Sequence, residues 1–164
     1  MPVIDTLLRM ITARCERVRS GLDVGFGDAE VSRRLREARG GVWMSIGRDR
    51  EFPFEDCQFE VVVMDGSMVS REIIREANRV LRPDGCLFFV VPEKTSKQDG
   101  FTPPEIYRIV REGFNILAVD GPAWWTFGFG ERTLAVCARK KAWHEHRPVF
   151  GEGSVGLAGF GGLK

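Results

Sequence analysis

Apolar residues recur at helical spacing over residues 4 to 19, where Ile4, Leu7, Leu8, Ile11 and Val18 are interleaved with basic positions. This spacing predicts an amphipathic helix, broken at Gly21. A short apolar strand follows over residues 22 to 26, and Asp28 is placed to cap a helix running to about Arg39 with Val31 and Leu35 turned inward. Gly40-Gly41 ends that helix, as glycine commonly does. Residues 42 to 46, Val-Trp-Met-Ser-Ile, read as a second strand. Residues 47 to 57 are a charged loop that holds Phe52-Pro53-Phe54.

The second half is more strongly patterned. Residues 58 to 64 are rich in β-branched side chains and predict a strand near the centre of a sheet. Ile73, Ile74, Ala77, Val80 and Leu81 fall on one face of a helix over 69–81, and Arg82-Pro83-Asp84-Gly85 reads as a turn. Residues 86 to 91 are apolar throughout, which suits a strand covered on both faces of a parallel sheet. Pro103 and Pro104 open a helix to about Glu112. Two final strands, 114–119 and 132–139, flank an aromatic loop from Pro122 to Gly130 that carries Trp124, Trp125, Phe127 and Phe129. Strands alternating with helices predict an α/β fold: a mainly parallel sheet, helices on both faces, and an antiparallel pair at its end.

Composition narrows the class without changing this picture. The 164 residues carry 43% hydrophobic and 29% charged side chains and a net charge of +1. These values suit one soluble globular domain over residues 1–148, followed by a glycine-rich tail over 149–164. Neither a nucleic-acid partner nor a membrane partner is expected. Basic residues form no stripe, and no apolar run approaches the roughly 20 residues that span a bilayer. Arg9, Arg14 and Arg17 interrupt any signal-peptide core. The four cysteines, Cys15, Cys57, Cys86 and Cys137, are scattered and read as free thiols, giving a cytoplasmic expectation. His144 and His146 stand without a carboxylate or thiolate cluster, so no metal site is expected.

The candidate chemistry lies in Leu22-Asp23-Val24-Gly25-Phe26-Gly27-Asp28-Ala29, a strand, a tight glycine turn and a helix start. Glycines there let the main chain lie close to a ligand, and a helix N-terminus offers unpaired N–H groups to polar atoms. An acidic residue in the strand, Asp23, can accept hydrogen bonds from ligand or loop. Asp65-Gly66-Ser67 follows the central strand at the same edge, where ligands of open sheets bind, or caps the next helix.

The order LDVGFGDA, then GRDREFPFEDCQFEVVV, then REANRVLRPDGCLFFVVPE resembles the class I S-adenosylmethionine-dependent methyltransferases, close to the type 11-like group. The resemblance covers residues 22 to 140. It implies a Rossmann-like methyltransferase fold with a C-terminal antiparallel hairpin, S-adenosylmethionine as cofactor and a small-molecule acceptor. It also implies cofactor contacts from Asp23, Gly25, Phe26, Gly27, Ser45, Asp49, Phe52 and Asp65. No catalytic residue is assigned. The Asn/Asp-Pro-Pro-aromatic motif of amino-group methyltransferases is absent after the central strand.

The chain departs from the family in length. Gly27 and Gly47 are only twenty residues apart, so one strand–helix unit is missing. Strand 42–46 aligns with either family strand two or strand three. The first alignment puts Ser45 or Ile46 where an acid should hold the ribose. The second puts Arg48 where an adenine-contacting aspartate lies, with Asp49 one position away. The shortening also bares a sheet edge, which predicts a homodimer or hetero-subunit contact at strand 42–46 with Trp43 in or near it. A catalytically silent, partner-binding subunit is therefore the alternative to an active enzyme. Another Rossmann-like nucleotide binder is a weaker third reading, since G-x-G-x-x-G is incomplete.

Overall fold

In the computed structural model, residues 2–27, 29–121 and 132–142 are described. The cap at Asp28, the aromatic loop with Trp124 and Trp125, the two histidines and the glycine-rich tail all lie outside them. The elements run α1 (Pro2–Arg14), β1 (Ser20–Val24), α2 (Ala29–Arg39), β2 (Val42–Ile46), β3 (Phe59–Asp65) and a 3-10 turn (Gly66–Met68). They continue with α3 (Arg71–Val80), β4 (Leu81–Pro92), α4 (Pro103–Val110), β5 (Phe114–Asp120) and β6 (Thr133–Lys140).

One six-stranded sheet carries the order β2-β1-β3-β4-β6-β5. The pairs from β2 to β4 are parallel, and β6 runs antiparallel to both β4 and β5. The expected α/β class with its terminal hairpin is what forms. The strand alternation sorts the core into two layers. Val62 and Met64 of β3, with Leu87, Phe89 and Val91 of β4, pack toward α3 and α4. Val61 and Val63, with Phe88 and Val90, pack toward α1 and α2. Both faces are therefore covered, which is why residues 86 to 91 are apolar without alternation.

Three details differ from the sequence expectation. Helix α1 stops at Arg14, and Gly21 lies inside β1 rather than ending a helix. It is there because the Trp43 ring lies against it: a Cβ at Gly21 would sit 2.4 Å from the ring. Strand β4 begins at Leu81, which pairs with Phe59, and the predicted turn at 82–85 is a bulged stretch within it, with Asp84 at φ 64°. Trp43 is 4% exposed and donates its indole N–H to Gly40 O at 2.9 Å. It fills the α1–α2 layer and does not face outward at the bare edge. The exposed apolar side chains of β2 are Val42 and Met44.

Strand β2 pairs with β1 in parallel, Asp23 opposite Ser45 and Val24 opposite Ile46, and no described strand lies beyond it. The two alignments left open by the sequence are thereby resolved. Strand β2 takes the place next to β1, and the missing unit is the one that would extend the sheet outward.

Candidate functional site at the carboxyl edge of the sheet

The chain leaves β1 toward β2 and returns to β3 on the other side of β1. A crevice opens outside the carboxyl ends of parallel strands where the order reverses in this way. At that position Gly25 and Gly27 hold φ angles of 86° and 77°, which side chains rarely adopt. Gly25 N–H donates to Ile46 O at 3.0 Å, tying the turn to the end of β2.

The turn faces the segment after β3. A Cβ on Gly25 would lie 3.3 Å from Asp65 Cβ and 2.5 Å from Met68 Cγ. Nothing comes within 4 Å of the corresponding point at Gly27. Among the described residues, the space over Gly27 is open, while the Met68 side chain already occupies the space over Gly25. Met68 is a neighbour that the sequence reading missed, because the 3-10 turn that aims it follows from tertiary packing.

Asp65 caps that turn by accepting Ser67 N–H at 3.0 Å. Its other oxygen lies 3.7 Å from Arg48. Arg48 thus bridges from the loop after β2 to the end of β3. Asp49 is exposed, with Oδ2 4.0 Å from the point a Cβ on Gly47 would occupy, so its carboxylate folds back toward the end of β2.

Asp23 is fully buried. Its carboxylate accepts hydrogen bonds from Ser45 Oγ at 3.1 Å and from the Ser32 hydroxyl. Ser32 belongs to the first turn of α2, so one carboxylate joins β1, β2 and the helix that follows the glycine turn. Buried charge is tolerated when it is hydrogen-bonded in this way. Ser32 is a second residue missed in the sequence, where nothing distinguishes it from any other serine near a helix start.

Phe26 is half-buried against the α1–α2 layer, and Phe52 is buried in the α3–α4 layer. Of the residues singled out in the sequence, Gly25 faces Asp65, Asp23 and Ser45 are hydrogen-bonded, and Asp49 is exposed in the loop after β2. Phe52 is held from behind. Glu76 accepts Phe52 N–H at 3.0 Å, while Arg79 donates to Phe52 O at 3.0 Å and to Phe54 O at 2.8 Å. Phe54 then stacks edge-on against Phe59, with ring centroids 5.0 Å apart. These contacts give Glu76 and Arg79 of the Glu-x-x-Arg-Val-Leu stretch a physical role: they fasten the loop that leads into β3.

No protein-family model matches the sequence, and no curated protein matches it. Solved structures do. The Burkholderia thailandensis 1,6-didemethyltoxoflavin-N1-methyltransferase, solved with bound 1,6-didemethyltoxoflavin and S-adenosylhomocysteine, superposes with a TM-score of 0.69 at 17% identity. The match covers 84% of this chain and 78% of that one. The fold is that of the class I methyltransferases. The cyclase SpnF shares it at a TM-score of 0.65 and 16% identity, covering 84% of this chain and 81% of its own. So does a complex between the Haloferax volcanii Trm112 methyltransferase activator and its methyltransferase, at 0.58 and 16%, with coverage of 83% and 89%. At such identities the likeness is one of fold. The inclusion of a cyclase among these neighbours illustrates how a methyltransferase fold can host other chemistry.

Proposed function

We propose that the chain is a methyltransferase that holds S-adenosylmethionine over the glycine turn and serves a small-molecule acceptor. The observation that carries this reading is the backbone at Gly25 and Gly27. Both residues hold positive φ at the carboxyl end of β1, beside the point where the strand order reverses. The open space over Gly27 suits close approach of a ligand to the main chain. When bound, the cofactor supplies a methyl group already activated by the sulfonium charge.

The chain's own residues bind and align. Methyl transfer is an in-line displacement that depends on orientation more than on a dedicated acid or base. Asp23 sets the turn by fixing β1, β2 and α2 together. Asp65 and Met68 form the wall facing the turn. Strand β2 ends in Ser45-Ile46 with no acid, so in this reading the exposed carboxylate of Asp49 takes the ribose hydroxyls. Asp65 and Arg48 form the polar rim beside it.

The test is acceptor-dependent release of S-adenosylhomocysteine from S-adenosylmethionine, measured against panels of small amines, phenols, thiols and carboxylic acids. Release that requires both the chain and one acceptor class supports the reading. Tight cofactor binding with no turnover on any panel contradicts it.

A second reading is a catalytically silent subunit that acts through a partner, and the bare β2 edge favours it. Val42 is 68% exposed and Met44 42% exposed on a strand with one side unpaired among the described residues. Open apolar edges tend to be covered. Light scattering of the wild-type chain and of Val42→Lys tests whether this edge pairs between copies. A dimer in the first and a monomer in the second supports edge pairing between copies, and a wild-type monomer contradicts it.

A further inference from the structure

The amino-terminal end of the sheet, opposite the glycine turn, holds an open cleft of about 990 Å3. Six arginines line it: Arg14 at the end of α1, Arg17 and Arg19 in the segment that leads into β1, Arg39 at the end of α2, Arg82 on β4 and Arg139 on β6. Two carboxylates, Glu60 and Asp84, share the lining. Glu60 is already engaged, accepting Arg19 N–H at 2.8 Å and facing Arg82 at 3.5 Å. Cations thus dominate this cleft in a chain whose net charge is only +1. They are scattered along the sequence, which is why no basic stripe is visible there, and the fold gathers them.

Local structure accounts for part of the cluster. Arg14 and Arg39 close helices, where a cation is favoured, and Arg39 also donates to Thr12 Oγ1 at 3.1 Å. Arg82 faces Glu60. Arg17, Arg19 and Arg139 have no such reason. They sit at no helix end, all three are exposed, and their side chains form no ion pair among the described residues. Like charges held along a concave wall focus a positive potential into it.

The backbone that carries Arg17 and Arg19 is fastened. Val18 between them is buried. Cys15 N–H donates to Ile11 O at 2.7 Å, and Val42 N–H donates to Arg19 O at 2.8 Å. Gly41 packs so closely on this segment that a Cβ there would clash with Val18 O. The main chain of the cleft is therefore built before any ligand arrives, which lowers the ordering cost of binding.

We propose that this cleft binds a short chain of linked phosphates, either as inorganic polyphosphate or as the phosphate chain of a nucleotide. Each guanidinium presents paired N–H donors that match phosphate oxygens. The arginines come from both helix ends, the segment before β1 and two strands, so a single phosphate reaches only part of the wall while linked phosphates span it. No Phe, Trp or Tyr is among the described residues lining the cleft. Bases therefore have no ring to stack on, which disfavours single-stranded nucleic acid. The cleft lies at the opposite end of the sheet from the glycine turn and does not depend on what that turn binds.

The experiment is calorimetric titration of the full chain with sodium tripolyphosphate, magnesium-free ATP, inorganic phosphate and a single-stranded oligonucleotide, each at low and at physiological salt. Tripolyphosphate and ATP should bind with sub-millimolar affinity that weakens as salt is raised, and inorganic phosphate should bind far more weakly. Equal affinities for tripolyphosphate and ATP place recognition in the phosphate chain alone, and tighter ATP binding makes a nucleotide the natural source; both support the site. Arg17→Gln and Arg139→Gln should each weaken tripolyphosphate by about tenfold or more. Arg108→Gln, on the exposed face of α4 away from the cleft, should leave it unchanged. Thermal unfolding without ligand checks that the variants stay folded. No tripolyphosphate binding at low salt would overturn the proposal. So would equal losses in Arg108→Gln and the cleft variants, or an oligonucleotide that binds more tightly than tripolyphosphate.

Discussion

Ser45 on β2 donates a hydrogen bond to Asp23 on β1 at 3.1 Å, across the parallel pair at the sheet edge. Asp23 receives a second from Ser32 on α2. The family resemblance places an acid at the end of the second strand. This chain has a hydroxyl there, and that hydroxyl serves the acid of the first strand. The carboxylate of the strand that leads into the glycine turn thus organises protein and is fully buried. Asp23→Ala should leave the buried Ser32 hydroxyl and the exposed Ser45 hydroxyl without their acceptor and lower stability by about 1–3 kcal/mol. Urea unfolding of Asp23→Ala beside Ser45→Ala measures it, and the serine variant should cost clearly less.

The loop before β3 should show a pH signature. The Arg79 side-chain hydrogen bond, joined by Phe52 N–H, holds the Glu76 carboxyl below its ordinary value of 4.5. A depressed carboxylate contributes stability that is complete above the unfolded value and disappears as pH falls through the folded one. Wild type should therefore be more stable than Glu76→Gln at neutral pH, and the difference should shrink as pH drops below 4.5. Urea midpoints of both proteins between neutral and acid pH check this. A gap that stays constant into acid would contradict it.

Lys140 secures the C-terminal end of α3. The residue is 9% exposed, and its ammonium donates to Asn78 O at 2.6 Å and Leu81 O at 2.7 Å. These are carbonyls at a helix C-terminus, where a cation is favoured. Lys140→Met keeps the apolar stem and strips the donors. It should lower stability by about 2–3 kcal/mol, read from thermal or urea unfolding.

Much of this architecture is legible in the sequence. The unalternated run 86–91, the β-branched 59–64 and the inward face of Ile73, Ile74, Ala77 and Val80 each need two packed layers, and each lies where it was expected. The edge is less legible. Val-Trp-Met-Ser-Ile does not say which of its apolar residues faces in. The answer depends on Gly21 across the sheet, whose missing side chain admits the Trp43 ring. The bulge at Asp84-Gly85 was read as a turn because the same residues suit either, and only the pairing of Leu81 with Phe59 decides. Ser32 and Met68 escaped notice because their roles are set by partners far along the chain.

The glycine turn supplies a decisive variant. Gly27 has positive φ but nothing within 4 Å of a new methyl, so Gly27→Ala meets no protein atom there and should cost only about 1 kcal/mol of stability. A ligand lying against the main chain at that point would meet the methyl directly. The measurement is calorimetric titration of wild type and Gly27→Ala with S-adenosylhomocysteine. The expected result is micromolar-range affinity for wild type and a loss of at least about tenfold, roughly 1.4 kcal/mol, in a variant that remains folded. No heat with wild type, or equal affinity in both proteins, would contradict cofactor binding at this turn.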